Sequence, residues 1–189
     1  MRSINLKSYA EIQIRSSIAY ATNQAVVDSN EVLENDLVQF SSHGTCCVIC
    51  GTYCESNGIG KVYTTNKSRT DYPYLYSIPG FNKGYNQAHI RCKHRITAYY
   101  EEYTENAEEI KKISNQEQKD NRTNAQIKKY DKHQELNRFV YAKRNNLEKR
   151  KALSESDLQT DKNKIKRMKE TSKKYNEKIK ELRNELKNL

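Results

Sequence analysis

All five cysteines and two of the four histidines lie in two short stretches of the sequence. The stretch TCCVICGTYC contains four of the cysteines, among them Cys47 and Cys50 with two residues between them. The stretch HIRCKH contains His89, Cys92 and His94. Thiolate and imidazole are ligands that Zn²⁺ prefers, and a two-residue gap lets two thiolates of a tight turn bind one cation. The two stretches therefore predict a metal site.

Four of these side chains would complete the tetrahedron that a structural zinc ion requires. Cys47, Cys50 and Cys92 supply three ligands, and His89 supplies the fourth, with His94 as the alternative fourth ligand. A site with four protein ligands has no open position for a substrate. We therefore expect zinc to stabilise the fold and not to catalyse hydrolysis.

Two other interpretations of the cysteines remain open. They could be buried, inert thiols, which cysteine often provides, or Cys47 and Cys50 could form a redox pair. Cys46 and Cys54 have no obvious partner ligand in the sequence, so we interpret both as buried thiols. Gly51, directly after Cys50, is expected to serve a tight turn.

The composition limits the class of protein. Hydrophobic residues make up 35% of the 189 residues and charged residues 31%. A chain this polar is expected to be partly elongated or oligomeric. The sequence has no apolar run of the roughly 20 residues that span a bilayer, and its start lacks the apolar segment of a signal peptide. We therefore expect no membrane partner and a cytosolic place of synthesis, where an odd number of cysteines favours thiols or metal ligands over disulfides.

Glycine and proline divide the chain. All six glycines and both prolines lie between Gly44 and Gly84, and the 105 residues that follow contain neither. Because these residues punctuate turns, the pattern predicts three parts. Residues 1–38 form a helical arm, residues 39–104 a compact α+β domain with the cysteines and histidines, and residues 105–189 an uninterrupted helical, coiled-coil-like tail.

Local patterns assign the elements of the first two parts. In the arm, apolar residues at spacings of three and four lie on one face of a helix that stops near Asp28–Asn30. These residues are Leu6, Ala10, Ile14, Ile18, Ala21 and Ala25. The segments DLVQFSS, GKVYTT and RITAYYEEY predict short antiparallel strands, in a domain that holds nine of the fourteen tyrosines. The fold class is therefore α+β.

The tail has the clearest periodicity. Apolar residues alternate spacings of three and four, as in the a and d positions of a coiled coil, and we expect this helix to pair with itself or with a partner helix. The positions are Leu158, Ile165, Met168, Ser172, Tyr175, Ile179, Leu182, Leu186 and Leu189.

The net charge of +10 suggests DNA as a further partner, and it could be contacted in two ways. Residues 1–100 carry a net charge of +3 and the rest of the chain +7, but both signs are mixed along the tail. This mixture favours a solvated helix surface over strong nucleic-acid binding, so at most non-specific contact with DNA is expected. As an alternative, Arg91, Lys93 and Arg95 would share one face of a strand beside the metal site, as in a DNA-binding zinc module.

The order of the motifs resembles the head-morphogenesis and minor capsid proteins of tailed phages, in the Mu F-like group and the related minor capsid protein 2 family. Those proteins have a CxxC pair, a Gly-Lys-Val-Tyr/Phe strand, a loop with proline, a His-x-x-Cys ending and an aromatic strand. The resemblance covers about residues 5–104, and Lys93 stands where the family usually has arginine. The matching segments are Arg15, Phe40–Thr45, Cys47, Cys50, Gly60–Tyr63, Tyr72–Phe81, Gly84–Asn86, His89, Cys92, His94 and ITAYYEEY.

The resemblance implies a structural protein that acts in head assembly through protein–protein contacts. Its partners would be other head proteins, either the portal or the major capsid protein, and the tail would oligomerise or lie along packaged DNA. It would be found in the virion and, during assembly, in the host cytoplasm. The chain lacks the long N-terminal helical half of these proteins and adds a coiled-coil tail, so it resembles their terminal domain.

An enzymatic alternative also follows from the resemblance. Mu F-like domains are similar to parts of some phage-borne toxins, which implies ADP-ribosyltransferase-like activity. Glu101, Glu102 and Glu105, after two tyrosines, would then supply a catalytic carboxylate. An amphipathic strand end that leads into a helix explains the same residues without catalysis. We therefore expect that the protein is not an enzyme.

Overall fold

The computed structural model describes residues 6–155 and 162–189. The chain divides into two compact units, Met1–Thr123 and Asn124–Leu189. The first unit contains the N-terminal helix together with the cysteines and histidines of both predicted metal-binding stretches. The second consists of two long helices. The three-part division at residues 38 and 104 stays a prediction.

The first unit is α+β, as the sequence predicts. Its helices are α1 (Leu6–Val32), α2 (Val48–Tyr53), α3 (Pro79–Asn82) and α4 (Ala107–Ser114), with 3₁₀ turns at Leu75–Ser77 and Glu101–Tyr103. Its strands are β1 (Leu37–Phe40), β2 (Glu55–Ser56), β3 (Ile59–Gly60), β4 (Val62–Thr64) and β5 (Ile96–Ala98).

The strands form two small antiparallel sheets. In the larger one, β1 lies between β4 and β5, with Val38 opposite both Tyr63 and Ala98. β2 pairs with β3 across a turn in which Asn57 and Gly58 both have positive φ, the conformation of a tight hairpin. The strands predicted in DLVQFSS and GKVYTT are confirmed. The third is shorter than predicted, because the chain leaves the sheet after Ala98 and turns into a 3₁₀ helix.

The core of the first unit is rich in aromatic residues. Phe40 packs edge-to-face against Tyr63 and Phe81, with ring centroids 5.6 and 5.9 Å apart. The buried Tyr63 donates its hydroxyl hydrogen bond to the Tyr53 carbonyl at the end of α2. Gly60 makes this packing possible, since a Cβ at that position would overlap the backbone carbonyl of Phe40. The sheet therefore holds α2 close to β1 and β4.

The side of α1 that packs on the core differs from the apolar face in the sequence pattern. Leu6, Ile14 and Ile18 are 81%, 61% and 56% exposed. The buried side instead carries Asn23 and Asn30, which are almost fully enclosed. Their side-chain amides bond backbone groups of the loop and strands that α1 covers, and these bonds fix the orientation of the helix. The apolar face of α1 is thus left on the surface.

The second unit is a pair of antiparallel helices, α5 (Asn124–Glu155) and α6 (Lys162–Lys187). Three contacts show the direction: Lys132 pairs with Glu185, Phe139 packs on Tyr175 with centroids 6.0 Å apart, and Asn146 bonds Ser172. Because the partner numbers fall as the α5 numbers rise, the helices run in opposite directions.

The tail seam predicted from the sequence packs within the same chain. Ile179 and Leu182 are the buried residues of the seam, and helix α5 lies against α6. Leu158 lies outside the described residues. The prediction of an uninterrupted helical tail is wrong, because residues 115–123 separate α4 from α5 without forming a helix. Their polar sequence has no apolar period to support one.

Candidate metal centre

Helix α2 presents three cysteines to the interior. Cys47 is the N-cap residue, Cys50 lies in the first turn, and Cys54 is the C-cap residue. Spacings of three and four place residues on the same side of a helix, so these thiols face one region. Gly51 lies within this helix and not in a turn, which corrects the sequence expectation. A Cβ there would overlap the Arg122 side chain, whose guanidinium donates to the Cys46 carbonyl.

The buried Lys61 stabilises the other end of α2. Its ammonium group donates a hydrogen bond of 2.9 Å to the Thr52 carbonyl, in the last turn of the helix. A cation at this position satisfies a free carbonyl and interacts favourably with the helix dipole. The lysine of the Gly-Lys-Val-Tyr motif therefore holds the cysteine-bearing helix in place.

The second stretch reaches the cysteines as an irregular loop. Its backbone turns at Arg91, which has a positive φ of 68°, and the Cys92 N–H donates to the His89 carbonyl. Cys92 and His94 are buried, while Arg91 and Lys93 are exposed. The loop thus points alternate side chains toward α2 and toward solvent.

Six donor side chains meet between α2 and this loop, and we call them the Cys/His cluster: Cys47, Cys50, Cys54, His89, Cys92 and His94. Their ligand atoms form two groups that share one thiol, and within each group all ligand atoms lie within 4.8 Å of one another. The first group is Cys47, Cys50 and His89, and the second is Cys50, Cys54, Cys92 and His94.

The separations within the Cys/His cluster suit a tetrahedral cation. The Nε2 atom of His89 is 3.3 Å from the Cys47 sulfur and 3.1 Å from the Cys50 sulfur. The Cys92 sulfur is 3.6 Å from the Cys50 sulfur and 3.7 Å from Nδ1 of His94. Around zinc, two sulfurs would be about 3.8 Å apart, and a sulfur and a nitrogen about 3.5 Å apart. The cluster therefore fits zinc in both donor chemistry and spacing.

Hydrogen bonds on the far side of each imidazole fix its orientation. Nδ1 of His89 lies 2.7 Å from the Ile90 carbonyl, and Nε2 of His94 lies 3.2 Å from Oε2 of Glu55. Each ring nitrogen next to an acceptor carries a proton, and the other nitrogen faces the sulfurs. Carbonyl and carboxylate partners of this kind orient metal-binding histidines.

Glu55 belongs to this outer shell. It is nearly fully buried, and its Oε2 also accepts the His43 backbone N–H at 2.6 Å. Burial alone would raise the pKa of Glu55, but hydrogen bonds from His94 and the His43 backbone lower it to about 2. The side chain is therefore a carboxylate at neutral pH, and it holds His94 in position.

Hydrogen bonds among the donors shift their pKa values. A hydrogen bond from Cys50 lowers the pKa of Cys47 to about 4, against the effect of burial. The hydrogen bond to Cys47 raises the pKa of His89 to about 10. Burial would lower the pKa of His94, but its bonds to Cys92 and Glu55 raise it to about 9. The cluster therefore favours thiolates paired with imidazolium groups, which can exchange protons for a cation.

All five residues predicted as metal ligands lie in the Cys/His cluster. Three of the four predicted ligands, Cys47, Cys50 and His89, form the first group. The fourth, Cys92, lies in the second group, as does the alternative ligand His94. Which of them bind a metal stays a prediction.

Sequence reasoning missed two residues at this site. Cys54 was interpreted as a buried thiol, although its spacing of four from Cys50 on a helix was the signal that would have found it. Glu55 carries no such signal, since only the fold brings it to His94.

The basic residues of the loop do not form the predicted strand face. Residues 91–95 are irregular, and the strand begins at Ile96. Arg95 is half-buried, and its guanidinium donates to the carbonyls of Cys92 and His94 at 3.1 and 2.9 Å. It braces the cluster and is not directed at solvent. Ser41 accepts from the Arg95 N–H through its hydroxyl and donates its own N–H to the Arg95 carbonyl. The segment Phe40–Thr45, which carried part of the family resemblance, therefore helps to hold the loop.

Of the three acidic residues considered for catalysis, Glu102 and Glu105 are exposed, and Glu101 lies in an ion-pair network. Glu101 accepts from Lys111 at 3.1 Å and lies 3.5 Å from Arg69. Arg69 also pairs with Asp36 and Asp71. This ion-pair network connects Asp36, directly before β1, with the loop after β4, the 3₁₀ turn at Glu101–Tyr103 and α4, so Glu101 has a structural explanation.

The second unit contains a basic groove of about 320 Å³ between α5 and α6. Its cationic residues are Lys143, Lys180, Arg183 and Lys187, and Val140, Asn176, Ile179 and Asn184 complete the lining.

Among the helices in the described part of the chain, none is long and apolar enough to cross a membrane.

Comparison with known proteins gives one family. Searches of curated proteins and of solved structures return no match. A family model described as phage minor capsid protein 2 matches residues 2–182. The match extends well beyond residues 5–104, the limits of the resemblance seen in the motifs, and includes the helical tail that had been interpreted as an addition. The chain therefore belongs to the phage minor capsid protein 2 family.

Proposed function

We propose that this protein is a structural component of a tailed-phage head and acts in head assembly through contacts with other head proteins. The observation that carries the proposal is the family match over nearly the whole chain. The proposed location is the virion, after assembly in the host cytoplasm. The portal or the major capsid protein is the proposed partner.

The exposed face of α1 is the proposed contact surface. Leu6, Ile14 and Ile18 lie on it with more than half of each side chain accessible, and Tyr9 is 49% exposed beside them. Buried aliphatic side chains each stabilise a contact by about 1.5–3 kcal/mol. An apolar stripe with polar surroundings is typical of protein interfaces, and this one is free for a partner because amides anchor the helix on its other side.

The second unit is proposed to pair with a further helix, from another copy of the chain or from a head protein. Exposed apolar side chains of α5 support this, since Tyr141 and Leu147 remain 48% and 43% exposed, and Val140, in the lining of the basic groove, remains 42% exposed. Sedimentation velocity of the purified chain tests the proposal, since a monomer at all concentrations would exclude self-association.

Zinc is proposed as the structural cofactor. Cys47, Cys50, His89 and Cys92 are the proposed ligands, and the donor chemistry and spacing of the Cys/His cluster support them. A bound ion would join α2 to the loop at residues 89–94. Its binding free energy would then contribute directly to the stability of the first unit.

Contact with packaged DNA is proposed as a weaker, non-specific activity. The basic groove of the second unit supports it, because four cationic side chains lie together there. Contacts with phosphates weaken steeply as salt rises, and non-specific affinities are about micromolar or poorer. Replacing Lys143, Lys180, Arg183 and Lys187 with Gln should flatten the salt dependence. Replacing the exposed Arg91 and Lys93 is the matched control.

Incorporation into heads tests the main proposal. Heads would be assembled with tagged wild-type chain, with the Ile14→Asp, Ile18→Asp double variant, or with the control Ser68→Asp, at an exposed polar residue of the loop after β4. We expect mass spectrometry of purified heads to detect the wild type and the control, and the double variant at a tenth of their level or less. Equal incorporation of all three would exclude the α1 face, and absence of the wild type from heads would contradict the structural role.

A further inference from the structure

The Cys/His cluster offers more donors than one ion can use. Zinc in a structural site takes four ligands, whereas six donor side chains meet here. If Cys47, Cys50, His89 and Cys92 bind one ion, Cys54 and His94 are left at the same location. Both are buried, and their ligand atoms lie within 4.8 Å of those of Cys50 and Cys92. A thiol and an imidazole in this arrangement match the two missing ligands of a second tetrahedron.

We propose that the cluster binds two zinc ions that share two bridging thiolates. Cys47 and His89 complete the first tetrahedron, Cys54 and His94 complete the second, and Cys50 and Cys92 belong to both. This inference rests on the proposed zinc site and adds an ion to it. Thiolates can bridge two zinc ions because sulfur has more than one lone pair available.

The shared pair has the separation that the arrangement requires. The sulfurs of Cys50 and Cys92 are 3.6 Å apart, close to the edge of about 3.8 Å in a zinc tetrahedron. Cys50 is the thiol that belongs to both groups of ligand atoms. Cys92 faces Cys50 in one direction and Nδ1 of His94 in the other. In the proposed arrangement these two sulfurs would form the common edge of the two tetrahedra, and Cys92, which lies in the second group, would also bind the ion of the first.

Each proposed ion also has its own oriented histidine. The Ile90 carbonyl fixes His89 and the Glu55 carboxylate fixes His94. With a single ion, the second of these histidines would have no metal to face. The duplication of outer-shell hydrogen bonds is what two ions would require.

The charges of the cluster balance with two ions. Four thiolates and two divalent cations sum to zero, so no net charge is placed in the protein interior by the cluster. The other ionisable groups buried beside it, Lys61 and Glu55, have opposite signs. A neutral cluster avoids the large cost of burying an unpaired charge.

Metal analysis of the full chain tests the proposal. After purification with zinc and dialysis to remove loosely bound ions, mass spectrometry under native conditions should show about two zinc ions per chain. Cys54→Ser should reduce this to about one, as should His89→Ala, because each removes a ligand of one ion only. Cys46→Ser is the control, since Cys46 is buried next to α2 but lies outside both ligand groups, and it should retain two.

X-ray absorption at the zinc edge gives a second readout. Two bridged ions produce a zinc–zinc scattering contribution, which should be present in the wild type and absent from Cys54→Ser. One ion per wild-type chain, or two ions in Cys54→Ser, would overturn the second site and leave the first intact. A chain without zinc would contradict the proposed structural zinc site as well, so the two failures are distinguishable.

Discussion

Replacing Asn23 with Ala should destabilise the first unit, although the change makes α1 intrinsically more helical. The Asn23 amide donates to the Asn86 carbonyl at 2.6 Å, and its Oδ1 accepts from the Ile96 N–H at 3.3 Å. It therefore connects α1 to β5 and to the loop that leads to His89. Asn23 is completely buried, so water cannot easily replace either bond.

The size of the effect follows from these two bonds. Each buried backbone group left without a partner costs about 1–3 kcal/mol, and alanine returns about 0.5 kcal/mol of helix propensity. For two such groups, the free energy of unfolding should therefore fall by about 1.5–5.5 kcal/mol. Gln13→Ala is the matched control, since it removes an amide from the exposed side of the same helix and should change stability by less than about 0.5 kcal/mol.

Urea denaturation followed by tyrosine signals measures this loss. Eleven of the fourteen tyrosines lie in the first unit and the chain has no tryptophan, so tyrosine fluorescence and near-ultraviolet circular dichroism report mainly on that unit. Both variants should be compared at saturating zinc. A loss below about 1 kcal/mol for Asn23→Ala, similar to the control, would refute the conclusion that buried amides anchor α1.

Three other perturbations separate the parts of the molecule. Glu55→Gln removes the carboxylate that orients His94 and should weaken zinc binding about 10–100-fold in a competition assay with a chelator; unchanged affinity would show that the carboxylate has no part in the site. Leu182→Ala removes a fully buried side chain between α5 and α6 and should lower the free energy of unfolding of the second unit by about 3 kcal/mol. The zinc content should stay constant, and a loss of zinc would contradict the conclusion that the two units fold independently. Gly60→Ala would place a Cβ on the Phe40 carbonyl and should prevent folding of the first unit. Its control, Gly84→Ala, has open space but a positive φ of 73° and should lower the free energy of unfolding by about 1 kcal/mol, measured by thermal unfolding. Similar losses for the two variants would show that space does not constrain Gly60.

Periodicity and residue type were sufficient for much of the fold. β-Branched and aromatic residues located β1 and β4, and the apolar repeat of the tail located the side of α6 that carries Ile179 and Leu182. The partner of that side could not be read from the repeat, because a seam looks the same whether the second helix comes from the same chain or another. The turn-forming composition before Gly84 likewise separated the compact region from the helices.

Hydrogen bonding accounts for what the sequence pattern could not show. The apolar face of α1 was visible as a repeat, but its exposure depends on Asn23 and Asn30, whose amides bond the carbonyls of Asn86 and Leu37. In the same way, Arg95 looked like a cation available for phosphate, and only the folded loop shows its bonds to the carbonyls of Cys92 and His94. Patterns of hydrophobicity and charge contain no information about such hydrogen-bond partners, whether they are distant in the sequence, as for Asn23, or close, as for Arg95.

The close packing of the cluster sulfurs has a consequence for how the protein must be handled. Cys50 and Cys92 have their sulfurs 3.6 Å apart, so a small movement would allow oxidation to a disulfide of about 2.05 Å. The lowered pKa of Cys47 makes its thiolate a ready nucleophile for the same chemistry. Bound metal would protect these thiolates from oxidation. Chains made without enough metal, or purified in air with a chelator, should therefore become trapped in oxidised forms that later addition of metal cannot restore without a reductant.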